Sequence, residues 1–182
     1  MAAARQVDLV EHIPRLRRYA RALTRDVATA DDLVQDTLER ALRKLDLWRP
    51  GSDLRAWLFT LMHNLFVNRL RASPPPASSL DEAADVAVVG GQLDSMAVRD
   101  IHAALSRLPD EQREVILLVG LEQFSYAEAA RILDLPTGTV MSRLSRGRER
   151  MRRLLADDVL ENEVLGNDAP VGEATVKLRV VK

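Results

Sequence analysis

The sequence predicts an all-α protein: two small helical domains joined by a flexible linker, the second ending in a helix-turn-helix. Three observations carry this. Apolar residues recur at the three-to-four spacing of helices rather than in alternation. The stretch "ASPPPASS", Ala72 to Ser79, interrupts that spacing with three consecutive prolines, which cannot continue a helix and favour a stiff, extended segment. Near the far end, "DLPT" is a short turn between two helical runs.

Val7 to Thr24 reads as one broken helix or two, with Pro14 suited to a first turn. The next helix runs from about Ala30 to Leu45, with Thr29 as N-cap and Asp31 and Asp32 in its first turn. "RPGSD" is a turn, and the third helix spans about Asp53 to Arg71. The stretch after the prolines, "LDEAADVAVVGGQ", is acidic, rich in small residues and closed by two glycines, so 73–93 reads as the linker. Beyond it, Asp94 to Arg107, Pro109 to Leu121, Ser125 to Leu133 and Thr137 to about Leu155 look helical. The tail turns acidic and then alternates weakly, as a frayed extension or a short strand. The domains are thus expected at 1–72 and 94–156, with 157–182 a C-terminal extension.

Composition narrows the function. The chain has 182 residues and no cysteine, so no disulfide framework and no thiolate metal site. His12, His63 and His102 lack ligand-like spacing, so no metal is expected. No apolar run approaches the ~18–20 residues of a membrane helix, and "MAAARQVDLVEH" lacks the apolar core of a secretory signal. A cytoplasmic, soluble protein with no membrane segment of its own is expected. The net charge of −1 conceals an alternation. Residues 1–72 hold 13 basic and 9 acidic side chains, and 73–98 hold none and 4. Residues 99–155 hold 10 and 8, and 156–182 hold 3 and 6. Locally basic segments leave nucleic acid open as a partner.

Three segments carry candidate chemistry. On the helix that opens at Thr137, Val140, Leu144, Met151, Leu154 and Leu155 fall within about 100° of arc. Gly138, Ser142, Ser145, Arg146, Glu149 and Arg153 lie opposite, flanked by Arg143 and Arg148. The preceding helix offers Ala129 and Ala130, small enough for close crossing, and Thr137 is the expected N-cap. The first turns of such a helix enter the major groove, so Thr139, Ser142, Arg143, Ser145, Arg146 and Arg148 are the candidate DNA-facing residues. Arg150, Arg152 and Arg153 suit phosphates, which add affinity without sequence choice.

In "DDLVQDTLERAL", Asp32, Gln35, Asp36 and Glu39 form a compact polar face opposite Leu33, Val34, Thr37, Leu38, Ala41 and Leu45. That face either docks a basic protein surface or is simply solvated. In "DLRAWLFTLMHNLFVNRLRA", Thr60, His63, Asn64, Asn68 and Arg71 line one narrow strip of a largely apolar helix, with Trp57 beside it. Asn64 and Asn68 are four apart and therefore neighbours. Amides, arginines and aromatics together suit an unstacked single strand. A core helix with interhelical hydrogen bonds is the alternative.

These segments, in this order and spacing over residues 7–155, resemble the extracytoplasmic-function (ECF) sigma factors of the sigma-70 superfamily. The match rests on "ADDLVQDTLERAL", "DLRAWLFTLMHNLFVNRLR" and "LSRLPDEQREVILLVGLEQFSYAEAARILDLPTGTVMSRLSRGRERM". "HIPRLRRYARALTRD" and "GTVMSRLSRGRERM" most resemble the alphaproteobacterial general-stress-response group.

The resemblance implies that Asp32, Gln35, Asp36 and Glu39 dock on the clamp coiled coil of the polymerase β′ subunit. It implies that Trp57, Thr60, Asn64, Asn68 and Arg71 serve the −10 element, and that the turn between Trp48 and Asp53 holds a flipped base. The second domain would read the −35 element. The implied partners are core RNA polymerase (β′ and β subunits), promoter DNA and an anti-sigma factor, with no cofactor.

Other classes fit less well. A response regulator would need alternating strands in the N-terminal half. A sigma-like decoy that binds an anti-sigma factor without driving transcription could dispense with Asn64, Asn68, Arg143 and Arg146, all of which are present. For an enzyme there is no carboxylate pair, nucleophile–base set, Gly-rich phosphate loop or metal cluster to carry catalysis.

Overall fold

The computed structural model describes residues 8–49, 51–72 and 95–165, with the side chains of the last segment described over 98–156. The expected linker lies outside these residues, as does the weakly alternating end of the tail, read as a frayed extension or a short strand. The described residues form seven α-helices and no strand. They are α1 (Ile13–Thr24), α2 (Val27–Arg43), α3 (Leu54–Ala72), α4 (Ser95–Ser106), α5 (Asp110–Ile116), α6 (Tyr126–Ile132) and α7 (Thr137–Leu165).

A single 3-10 turn, Val10–His12, leads into α1, and Pro14 sits at the start of that helix, where its missing N–H costs nothing. The helix ends at Arg25 in the left-handed region, φ 64°. The start of α2 differs from expectation. Asp26, not Thr29, is the N-cap: its carboxylate accepts the Thr29 N–H at 2.7 Å. Thr29 is the partner of the cap, which moves the helix start three residues upstream. The α3 start is held in the same way, with Asp53 Oδ1 accepting the Ala56 N–H at 3.1 Å. The turn before it uses Gly51 at φ 86°, a conformation that side chains resist.

The expected helix from Pro109 to Leu121 is α5 running into a π-helical turn, Leu117–Leu121. Gly120 lies in that wider turn, and Gln123 comes after it at φ 60°. A reciprocal box starts α6: Ser125 Oγ accepts the Glu128 N–H at 3.3 Å, and the Glu128 carboxylate accepts the Ser125 N–H at 2.8 Å. Thr137 is already inside α7. The Pro136 carbonyl accepts from Val140 at 3.2 Å, so Pro136 holds the capping position expected of Thr137. The same helix continues ten residues past its expected end at Leu155, to Leu165. "ADDVLENEVL" has no proline or glycine to stop it, and Gly166 comes next in the sequence.

α1, α2 and α3 pack as a three-helix unit around Leu16, Tyr19, Leu23, Leu33, Leu58, Phe59 and Met62. α6 and α7 cross over Ala129, Ala130, Ile132, Val140 and Leu144, with α5 alongside. α4 lies across α7 through Ala104 and Leu108 against Leu154. The two units share one apolar cluster rather than standing apart, with Val115, Leu118 and Phe124 joined to the first unit's core. Each fully buried leucine in it contributes ~1.5–3 kcal/mol.

Candidate nucleic-acid interface

The second unit presents its helix-turn-helix with α7 outward. Val140 and Leu144 are buried against α6, which turns Gly138, Ser142, Ser145, Arg146 and Arg148 to solvent and leaves Thr139 half-buried. Ser142 Oγ donates to the Thr139 carbonyl at 3.0 Å, so its hydroxyl is tied to the helix until a better partner arrives. Arg146 and Arg150 line a 550 Å³ open groove with Gln112, Ser145, Glu149, Arg153 and Leu154. On the other side Arg148 and Arg152 border a smaller one of 230 Å³ with Tyr126, Met141, Leu144 and Ser145.

Arg143 is placed differently. Its Nη2 lies 2.8 Å from Glu111 Oε2 of α5, and its side chain is only 25% exposed. The helices are close here because of Gly147. A Cβ at that position would sit 2.7 Å from Ile116 Cδ1, so a larger residue would require the Ile116 side chain to move. Further along, Arg152 and Arg153 pair with Glu149 on their own helix.

In the first unit, Asp32, Gln35, Asp36 and Glu39 are all exposed on one side of α2. The face is pre-braced. Glu39 accepts from Gln35 at 3.3 Å and from Arg43 at 3.4 Å. Asp36 accepts from Arg69 of α3 at 2.5 Å, and Arg69 also donates to the Thr29 carbonyl.

The α3 strip is divided. Asn64, Asn68 and Arg71 are exposed, and neither amide makes a side-chain hydrogen bond among the described residues. Thr60 is half-buried and donates to the Ala56 carbonyl at 2.9 Å. Trp57 is half-buried against the core. His63, counted in the same strip from sequence, is turned inward instead: its Nδ1 lies 2.7 Å from Glu114 Oε1 of α5. This helix therefore carries an exposed amide edge on one side and an interhelical polar contact on the other.

That contact belongs to a polar seam between the two units. Glu122, fully buried, sits 2.7 Å from Arg18 Nη2 and 3.9 Å from Arg15 Nη1. Arg55 donates to the Glu122 carbonyl and stacks 3.8 Å from the centre of the Phe124 ring. Tyr19, Phe59 and Phe124 form an edge-to-face series with ring centres 5.0 and 5.2 Å apart. Burial, and then the charges of Glu114 and Glu122, push the Tyr19 hydroxyl well above its ordinary value, so it stays protonated.

Comparison with known families agrees with this anatomy. Residues 9–63 match the family described as Sigma2 domain of PhyR, and residues 99–151 match Sigma-70, region 4. The ECF RNA polymerase sigma factor EcfG of Rhodopseudomonas palustris is 40% identical over 157 residues, 85% of this chain and 87% of that one. The chain belongs to the ECF sigma factors. SigM of Mycobacterium tuberculosis, another ECF RNA polymerase sigma factor, is 35% identical over 145 residues, 79% of this chain and 73% of its own.

Among solved structures, the sigma factor RpoE in complex with the anti-sigma factor NepR, from Bartonella quintana, superposes with TM-score 0.67 at 35% identity. That likeness covers 81% of this chain and 94% of RpoE. CnrH in complex with the cytosolic domain of CnrY gives TM-score 0.62 at 29% identity, covering 82% and 85%. Among the described residues of this sigma factor, no helix is long and apolar enough to cross a membrane.

Sequence reasoning missed three groups in this ECF sigma factor. Met141 is 51% exposed on the same turns as Ser142. On the wheel it falls between the apolar stripe and the polar side, so a face-by-face reading passes over it. Glu111 stands in the first turn of α5, where an acid is common and draws no attention. Glu122 is fully buried, as glutamate almost never is unless paired, and its partners are more than a hundred residues upstream.

Proposed function

We propose that this chain binds core RNA polymerase and directs promoter-dependent initiation, using the exposed faces of α2, α3 and α7 for three different contacts. Asp32, Gln35, Asp36 and Glu39 meet the β′ clamp. Trp57, Thr60, Asn64, Asn68 and Arg71 serve the −10 element, with the turn after Trp48 receiving a flipped base. Thr139, Ser142, Arg143, Ser145, Arg146 and Arg148 serve the −35 element. The domains are 1–72 and 94–156, joined by the linker 73–93, and the protein works in the cytoplasm. The observation that carries the reading is the pair of exposed, unbonded amides, Asn64 and Asn68, on a helix whose Leu58, Phe59, Leu61, Met62 and Phe66 are buried in the core.

Control by an anti-sigma factor is supported by the likeness to RpoE captured with NepR, and the kinship with EcfG suits the general-stress-response group. Each domain alone offers few contacts, and holding both on polymerase raises the effective concentration of the second. Free chain therefore binds DNA weakly.

Run-off transcription with core enzyme and a matched promoter tests this. A transcript that depends on both elements is expected, and Arg146→Ala is expected to lower it about tenfold while leaving core binding intact, as for loss of one base contact. Core binding without transcripts on any −35/−10 template would instead identify a decoy.

A further inference from the structure

Among the described residues, the Arg143–Glu111 pair is the one ion pair that ties the reading turns of α7 to the scaffold helix α5. Its placement is fixed from two sides. One helical turn further on, Ile116 and Gln112 of α5 pack against the bare backbone of Gly147, so α5 and α7 lie close at this point. Arg143 runs along this seam and ends on the carboxylate, whereas Arg146 and Arg148 stand in solvent with no carboxylate at ion-pair distance among the described residues.

Stability does not explain the pair. Glu111 is 69% exposed, and a solvent-facing ion pair contributes little to folding. Beside a DNA-facing helix an acid is a liability, because it repels phosphates and weakens binding to all sequences alike. What it gives in return is orientation. A guanidinium has five N–H donors in a rigid fork, and a carboxylate on Nη2 leaves the others for a base edge. With its charge neutralised and its side chain held, Arg143 no longer competes for phosphates and loses less freedom on binding.

We propose that Glu111 is a positioning residue for −35 recognition, holding Arg143 as a base reader and removing it from the phosphate-gripping set. This rests on the promoter-reading function and adds a residue outside the helix-turn-helix to its specificity.

The test uses the full chain reconstituted with core polymerase, and promoter binding measured across single-base substitutions of the −35 element and across salt. Glu111→Gln is expected to flatten the preference at one −35 position about tenfold. Arg143→Ala is expected to flatten that same position, and the double variant to match Arg143→Ala alone. In Glu111→Gln the salt slope is expected to steepen by about one, as the released arginine finds a phosphate. Glu111→Asp, which keeps the charge with a shorter reach, is expected to fall between wild type and Glu111→Gln. Full preference retained in Glu111→Gln overturns the inference, as does an equal loss at every position or a loss that adds to that of Arg143→Ala. A wild-type chain that yields no promoter-dependent transcript brings down the sigma-factor reading itself, and is told apart by needing no variant.

Discussion

Arg113 shows how much one side chain can organise. It is 1% exposed, and its guanidinium donates to the carbonyls of Leu105, Ser106 and Leu108, to Asp110 Oδ1, and to the Leu23 carbonyl of α1. Burial, then the Arg25 charge, pushes its pKa down to about 10, opposed by Asp110, so it remains charged near neutrality. Removing it would take this donor from the buried Leu23 and Leu108 carbonyls, each unsatisfied group costing ~1–3 kcal/mol. Arg113→Ala is therefore expected to lose about 3 kcal/mol or more, read as a shift in urea midpoint, and Arg113→Lys to recover only part, since one ammonium cannot span the same acceptors. Nothing in "PDEQREV" announces this role. The sequence marks position 113 as helical, but its acceptors come from two chain turns and a distant helix that no periodicity connects.

The element scale was the most legible. Of the α7 stripe that apolar spacing selects, Val140, Leu144 and Leu154 are buried and Met151 and Leu155 half-buried, because a 3.6-residue period maps onto one face. Caps were less so. Thr29 preceded a run of acids and resembled a cap, yet Asp26 does the capping because its carboxylate can reach three residues on. This gives α2 a signature in acid. Hydrogen bonds from Thr29 and the neighbouring backbone hold the Asp26 carboxyl below the usual carboxylate range. A group depressed in the folded state stabilises above its unfolded pKa of about 4 and loses that contribution as pH falls through the folded value. Glu128 is depressed in the same direction by its Ser125 bonds and adds to the effect. Melting temperature is thus expected to fall as pH drops from about 5 to about 3, and Asp26→Asn to show a shallower fall. An equal pH dependence in wild type and variant would contradict the cap assignment.

At the scale of the molecule, the mutual packing of the two units was not readable from the sequence. Glu122, His63, Arg55 and Phe124 meet across separations of 51 to 104 residues, through polar contacts that leave no pattern in composition. The seam is strongly charge-dependent. Glu122→Arg would set a fourth cation beside Arg15, Arg18 and Arg55, at a position that is itself fully buried. The two units are expected to part, seen as a larger radius of gyration in small-angle scattering with helical content retained. Arg18→Glu in the same chain is expected to restore the compact form.

The bond from Arg113 to the Leu23 carbonyl has a consequence for genetics. A carbonyl position is fixed by the whole of α1, so any substitution that shifts the end of that helix withdraws an acceptor from the other unit's most buried cation. A selection for loss of function at one DNA element would therefore return alleles in both halves of the gene, and intragenic suppressors would appear in the half that was not mutated. Linkage between distant codons would mark the path that Arg113 takes through the protein.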